Sequence, residues 1–300
     1  MKRSLFLAAL AFAMAAPMLM AADVLPKAEG PTPTLGELMS HRPATLSTEG
    51  LIVGSGYGFV SQLLVPAVIR AAGKNNTFFI TDYFLTNGRG AMQDVLIGFM
   101  PSGVTGVNQP TFRYQLAANT TYSIPDFLGS GQGDLNISGV GSLLITAVLP
   151  GSSTLDTSGQ LYGAARIWTQ EPGSSGTNSF TEWAVEPGVI HGDSLVAVIG
   201  ARQNSGFRAN YGLVNLDVLN ARTWTINIIT TTGSAGQTTT TIPPLSMGLV
   251  AVPSSVDGGS NGYLLLHFTP NLTTNFPWYA FATSADQTTG DAWYSVGVQF

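Results

Sequence analysis

The run Thr77-Phe78-Phe79-Ile80-Thr81-Asp82-Tyr83-Phe84-Leu85-Thr86-Asn87 decides the fold. Aromatic and β-branched residues fill it, as strands favour. Side chains alternate across a strand, so Phe79, Thr81, Tyr83 and Leu85 share one face. Gly73-Lys74-Asn75-Asn76 before it reads as a turn, because Gly and Asn tolerate positive φ. The pattern then returns. Phe79, Tyr83, Leu85 and Asn87 recur at the same spacing as Phe207, Tyr211, Leu213 and Asn215. Upstream, Ala67-Val68-Ile69-Arg70-Ala71 recurs as Ala197-Val198-Ile199-Gly200-Ala201, which makes the second intervening loop two residues shorter. Thr241-Ile242-Pro243 echoes Ser123-Ile124-Pro125, and Gly262-Tyr263-Leu264-Leu265-Leu266 echoes Gly141-Ser142-Leu143-Leu144-Ile145. An ordered series of matches implies two similar β modules in tandem.

Outward from these strands, the chain keeps one texture. Short strands alternate with turn clusters such as Pro101-Ser102-Gly103 and Gly129-Ser130-Gly131-Gln132-Gly133, the spacing of an all-β sandwich or barrel. Gly, Thr, Ser, Asn and Pro keep helix propensity low throughout. Glu186-Pro187-Gly188 marks a boundary, which places one module at 60–186 and the next at 187–300. Residues 23–59 read as a linker, since Pro26, Pro31, Pro33 and Pro43 interrupt it. Leu35-Gly36-Glu37-Leu38-Met39 is its one candidate helical turn.

The N-terminus reads as a secretory signal peptide over 1–22. Met1-Lys2-Arg3 precedes an apolar run from Leu5 to Ala16, then small residues up to Ala21-Ala22. The expected location is therefore secreted, periplasmic or at a bacterial cell surface, with no transmembrane helix after cleavage. Among the 300 residues there is no Cys, which excludes disulfides, thiolate metal sites and Cys nucleophiles. Removing Lys2 and Arg3 leaves ten basic residues against 17 acidic, so duplex nucleic acid is an unsuitable partner. Only 10% of residues are charged, against about 25% in ordinary domains, so hydroxyl and amide side chains must supply the polar surface.

The run from Ala71 to Asn87, and Gly206-Phe207-Arg208-Ala209-Asn210-Tyr211-Gly212-Leu213-Val214-Asn215 after it, resemble an element of secreted bacterial multi-module proteins. Those modules are immunoglobulin-like sandwiches without assigned catalysis. The resemblance implies the fold alone: two tandem immunoglobulin-like antiparallel β-sandwiches behind a signal peptide and a Pro-rich linker. Each should bury the Phe-Tyr-Leu face of its second strand.

Chemistry-bearing constellations are sparse. His41, His191 and His267 have no zinc-ligand spacing, and no Gly-x-Ser-x-Gly elbow exists. Glu182 and Glu186 flank Trp183, with His191 nearby; this is the one set an enzyme could use, and a solvated loop is the plainer reading. Asp257, Asp286 and Asp291 sit in Gly-containing loops whose oxygens could ligate calcium, although turns favour Asp anyway. Trp183, Trp278 and Trp293 could stack on sugars if exposed. The loops at 102–110, 129–139, 171–179 and 253–262 are the expected contact regions. The reading is thus a non-catalytic structural or adhesive envelope protein with no required cofactor. A carbohydrate-binding protein is the first alternative. Tyr294, Val296, Val298 and Phe300 alternate up to the terminus, so an outer-membrane barrel is the second.

Overall fold

The computed structural model describes residues 20–22, 24–40, 59–73, 76–130, 135–170, 173, 175–187, 190–191, 194–271 and 276–299. Most of the predicted signal peptide, His41, the Gly54–Gly58 stretch and Phe300 lie outside these residues. The fold is all-β, as expected, with two sandwich-like units. The first contains β1 (Met20–Ala22), β2 (Gln62–Ala72), β3 (Phe78–Asn87), β4 (Gln93–Pro101), β5 (Thr111–Leu116), β6 (Thr120–Ile124), β7 (Gly139–Val148), β8 (Leu161–Gln170) and β9 (Thr177–Trp183). The second contains β10 (Ile190–His191), β11 (Val196–Arg202), β12 (Phe207–Asn215), β13 (Arg222–Thr230), β14 (Gly233–Ile242), β15 (Ser246–Ala251), β16 (Tyr263–Pro270), β17 (Pro277–Asp286) and β18 (Ala292–Gln299). One short helix, α1 (Leu35–Ser40), precedes them.

In the first unit, strands β2-β7-β4-β5 face strands β6-β3-β8-β9. In the second, β11-β16-β13-β14 face β15-β12-β17-β18. The two orders are identical once β11 is set on β2 and each later strand on its counterpart. β18 closes the second unit by pairing with β17 at one end and with β11 at the other.

Each second strand buries its expected face. Tyr83 and Leu85 are fully buried, and so are Tyr211 and Leu213. Asn87 and Asn215 do more than start turns. Asn87 Nδ2 donates to the carbonyls of Ala91 and Ala117, while its Oδ1 accepts from Arg89 N–H. Asn215 Nδ2 donates to Asn220, Ile242 and Pro243, while its Oδ1 accepts from Asp217 N–H. One buried amide in each unit therefore satisfies carbonyls that water cannot reach.

Three sequence echoes prove to be out of register. Both first strands carry a register shift, between Val65 and Val68 and between Ile199 and Ala201. Superposing those irregularities sets Val65 on Val198 and Val68 on Ala201. The Ala-Val-Ile identity is therefore displaced by three residues and is coincidental. Asn87 clasps the end of β5 and Asn215 the end of β14, so Ile242-Pro243 matches Leu116-Ala117 rather than Ile124-Pro125. Val65 pairs with Leu143 and Val198 with Leu266, so the Gly262 echo is displaced by two. The Phe-Tyr-Leu-Asn repeat alone is in register.

The linker expectation fails for residues 24–40. Strands β2, β4 and β7 are apolar on both faces. Leu63, Val65, Val95, Ile97, Leu143 and Ile145 fill the sandwich interior. Leu64, Leu96, Met100, Leu144 and Val148 point the other way and join a core shared with α1 and the second unit. Leu35, Leu38 and Met39 of α1 are buried there, and a Cβ at Gly98 would stand 2.5 Å from Leu35 Cδ1. Thr34 and Glu37 form a capping box: Glu37 Oε2 accepts from Thr34 N–H and Thr34 Oγ1 from Glu37 N–H. Prolines fit this segment because it runs as an edge strap, bridging Lys27 to Tyr114 and Thr34 to Pro110.

Arg113 fastens the strap. Its buried guanidinium donates to Asp94 at 3.0 Å, to the Pro31 carbonyl at 2.8 Å and to the Ser152 carbonyl at 2.6 Å. The loop at 102–110 is likewise a joint, although Val104 at its tip is exposed. Gly103 N–H donates to Met247, Gly106 N–H to Pro244, and Ser246 Oγ to Pro101. Arg113→Ala would leave Asp94 buried without its charge partner. The expected loss is about 3–5 kcal/mol, read as a lowered denaturant midpoint.

Candidate functional site

The second unit opens to solvent where β11, β16 and β18 meet. Gly200, Arg202, Tyr263, Trp293 and Ser295 line a cleft of about 430 Å³. Gly200 sits at the irregularity of β11 with φ +92°, a conformation that side chains resist. The chain then turns tightly: Asn204 Oδ1 accepts from both Gly206 and Phe207 N–H. That turn lays Phe207 beneath Arg202, whose guanidinium carbon stands 3.5 Å from the ring centroid. Tyr263 lies across the ladder from Arg202 at 5.1 Å, and Trp293 stands 5.6 Å away on β18. Arg202 Nε donates to the Asn261 carbonyl, and Trp293 Nε1 to the Gly200 carbonyl. The result is a cation held among three rings, with half of Tyr263 exposed.

The first unit shows what the same place looks like when filled. Tyr83, Ala165 and Glu182 lie abreast on β3, β8 and β9; Tyr211, Ala282 and Ser295 lie abreast on β12, β17 and β18. Ser295 thus occupies the position of Glu182, and Gly200 that of Ala67. Glu182 is 1% exposed, and its Oε1 accepts from Ala67 N–H at 2.8 Å. Its Oε2 and the Tyr83 hydroxyl are buried with no hydrogen-bond partner among the described residues. From the second unit, Tyr279 is buried, Tyr294 is half-buried with its hydroxyl sealed from solvent, and Tyr294 stacks on Phe180 of β9 with centroids 6.2 Å apart. Burial raises the Glu182 carboxyl well above the ordinary range, with the Ala67 hydrogen bond opposing. Burial, and to a lesser extent Glu182, also raises the Tyr83 phenol.

This overturns the solvated-loop reading of Glu182. The residue belongs to β9 and faces inward, strand alternation turns Trp183 outward, and Glu186 is exposed beyond the strand end. Trp183 is 51% exposed and leans on Tyr162, which in turn meets Phe59. Trp278 is fully buried against Trp224, so it is core and not a platform. Trp293 lines the cleft of the second unit.

One oxygen of each calcium candidate accepts from its own turn. Asp286 Oδ1 accepts from Thr288 and Thr289 N–H, Asp291 Oδ2 from Thr289 Oγ1, and Asp257 Oδ1 from Gly259 N–H. Among the described residues, no group of three His, Asp or Glu could hold a metal ion. His267 is half-buried on β16. Of the expected contact loops, 253–262 reaches the cleft through Asn261, while parts of 129–139 and 171–179 lie outside the described residues.

Arg202 and Tyr263 escaped the sequence reading. The available signal was Gly200, a glycine inside a strand, which marks a bulge or a close approach. No family model matches the sequence, and a search of curated proteins finds no similar chain.

Glu182 makes stability depend on pH. Its folded-state affinity for a proton exceeds that of an unfolded Glu, near pH 4.3. The contribution is complete below that pH and is lost as pH rises towards the folded value. Glu182→Gln removes this loss. Chemical denaturation from pH 4 to 8 should show the variant gaining on the wild type above about pH 4.5, by up to about 1.4 kcal/mol per pH unit. Parallel curves would show that Glu182 is ionised when folded.

Proposed function

We propose that the chain is an exported, non-catalytic binding protein of the bacterial envelope, which engages polysaccharide through the cleft of its second unit. The observation that carries this reading is the contrast between units. The place sealed by Glu182 in the first is an open recess lined by Arg202, Tyr263 and Trp293 in the second. Aromatic rings beside a fixed polar group suit sugars, which present apolar faces and hydroxyl edges together. The low charge content and the N-terminal leader pattern agree with export.

The alternation Tyr294, Val296, Val298, Phe300 favours a second reading, an outer-membrane barrel. The exported-binder reading expects the mature chain to be released from cells without detergent, and to be retained on immobilised envelope polysaccharides. Tyr263→Ala should weaken that retention about tenfold, the effect of about 1.4 kcal/mol. A chain that needs detergent and shows heat-modifiable gel mobility would instead be the barrel.

A further inference from the structure

The repeat itself indicates the chemistry of the missing occupant. In the first unit, the N–H at the strand irregularity, on Ala67, donates to a carboxyl oxygen of Glu182. In the second, the corresponding residue is Gly200, and Ser295 replaces the glutamate. A Cβ placed on Gly200 would meet Ser295 Oγ in ordinary contact at 3.7 Å, so the small residues at both positions leave room where Glu182 reaches Ala67 in the first unit. A cation has entered its wall as well. Arg202 lies flat on Phe207, and its Nε is engaged with Asn261, which leaves the two Nη groups to meet a ligand.

We infer that the cleft takes the carboxylate of an acidic sugar, a uronate residue of a polysaccharide, in the place that Glu182 fills within the first unit. The carboxylate would accept from Gly200 N–H and from Arg202, with the sugar ring against Tyr263 and Trp293. Charge-assisted contacts to Arg are the strong ones, and planar guanidinium groups match carboxylates. The recess is shallow and open, which suits one residue of a longer polysaccharide chain. An acidic peptide would supply its carboxylate on a flexible stem, whereas a uronate holds it fixed on a rigid ring whose apolar face meets an aromatic wall. Asp286 is the acidic group whose field Arg202 reaches, and it is exposed, so it leaves the cation available.

This inference rests on the polysaccharide reading and names its substrate class. The test is calorimetric titration of the mature full chain with trigalacturonate and, separately, with its methyl ester. The acid should bind at least tenfold more tightly than the ester, and its affinity should fall as salt rises. Arg202→Met, which keeps the stem, should cost about tenfold or more. Ser295→Glu should refill the recess from within and abolish binding. Equal affinity for acid and ester overturns the inference even if every variant misfolds. So does unchanged binding by a folded Arg202→Met, or an Arg202-dependent self-association in place of sugar binding. If polysaccharide retention persists while neither titrant binds, the uronate inference falls and the binding reading stands. If retention itself fails, the binding reading falls.

Discussion

The outer face of the β2-β7-β4-β5 sheet governs the rest of the structure. A sandwich needs one apolar face per sheet, and this sheet has two. Leu64, Leu96, Met100 and Leu144 cannot be left to water, since each large aliphatic side chain is worth about 1.5–3 kcal/mol on burial. The N-terminal strap and the second unit share the task of covering them. Arg113 and the 102–110 joint are the polar fastenings of that cover. The cover extends to β9, where Phe180 stacks on Tyr294 of the second unit.

Much of this was legible in sequence, and the reasons are physical. The Phe-Tyr-Leu-Asn repeat was readable because alternation and a buried amide constrain residue type at each position. The continuous apolar runs Leu143-Leu144-Ile145 and Val95-Leu96-Ile97 were visible too, and they are the signature of strands buried on both faces. What covers them was not visible. Proline content suggested a linker, yet an edge strap tolerates proline as readily as a linker does. Small apolar strings such as Ala-Val-Ile recur by chance, and only strand pairing revealed the three-residue displacement.

The site was less legible than the fold. Trp293 was a candidate, but Trp278 carried the same local pattern and is core. Adjacent aromatics point to opposite faces of a strand, yet Trp278 and Tyr279 are both buried because both faces of β17 are covered. Glu182 was misread because nothing in its local window marks β9; only the strand pairing and the Ala67 N–H that donates to its carboxyl show that it faces inward. Arg202 drew no attention for a similar reason. Its partners Tyr263 and Trp293 are distant in sequence, and the ladder alone brings them together.

The shared core has a consequence for how the chain matures. Leu64, Leu96 and Leu144 belong to strands made early, while Trp224, Phe268 and Phe281, which complete the same cluster, are made late. The first unit therefore cannot finish its packing when its own strands have emerged. It must wait, half-covered, for the C-terminal half of the chain to follow.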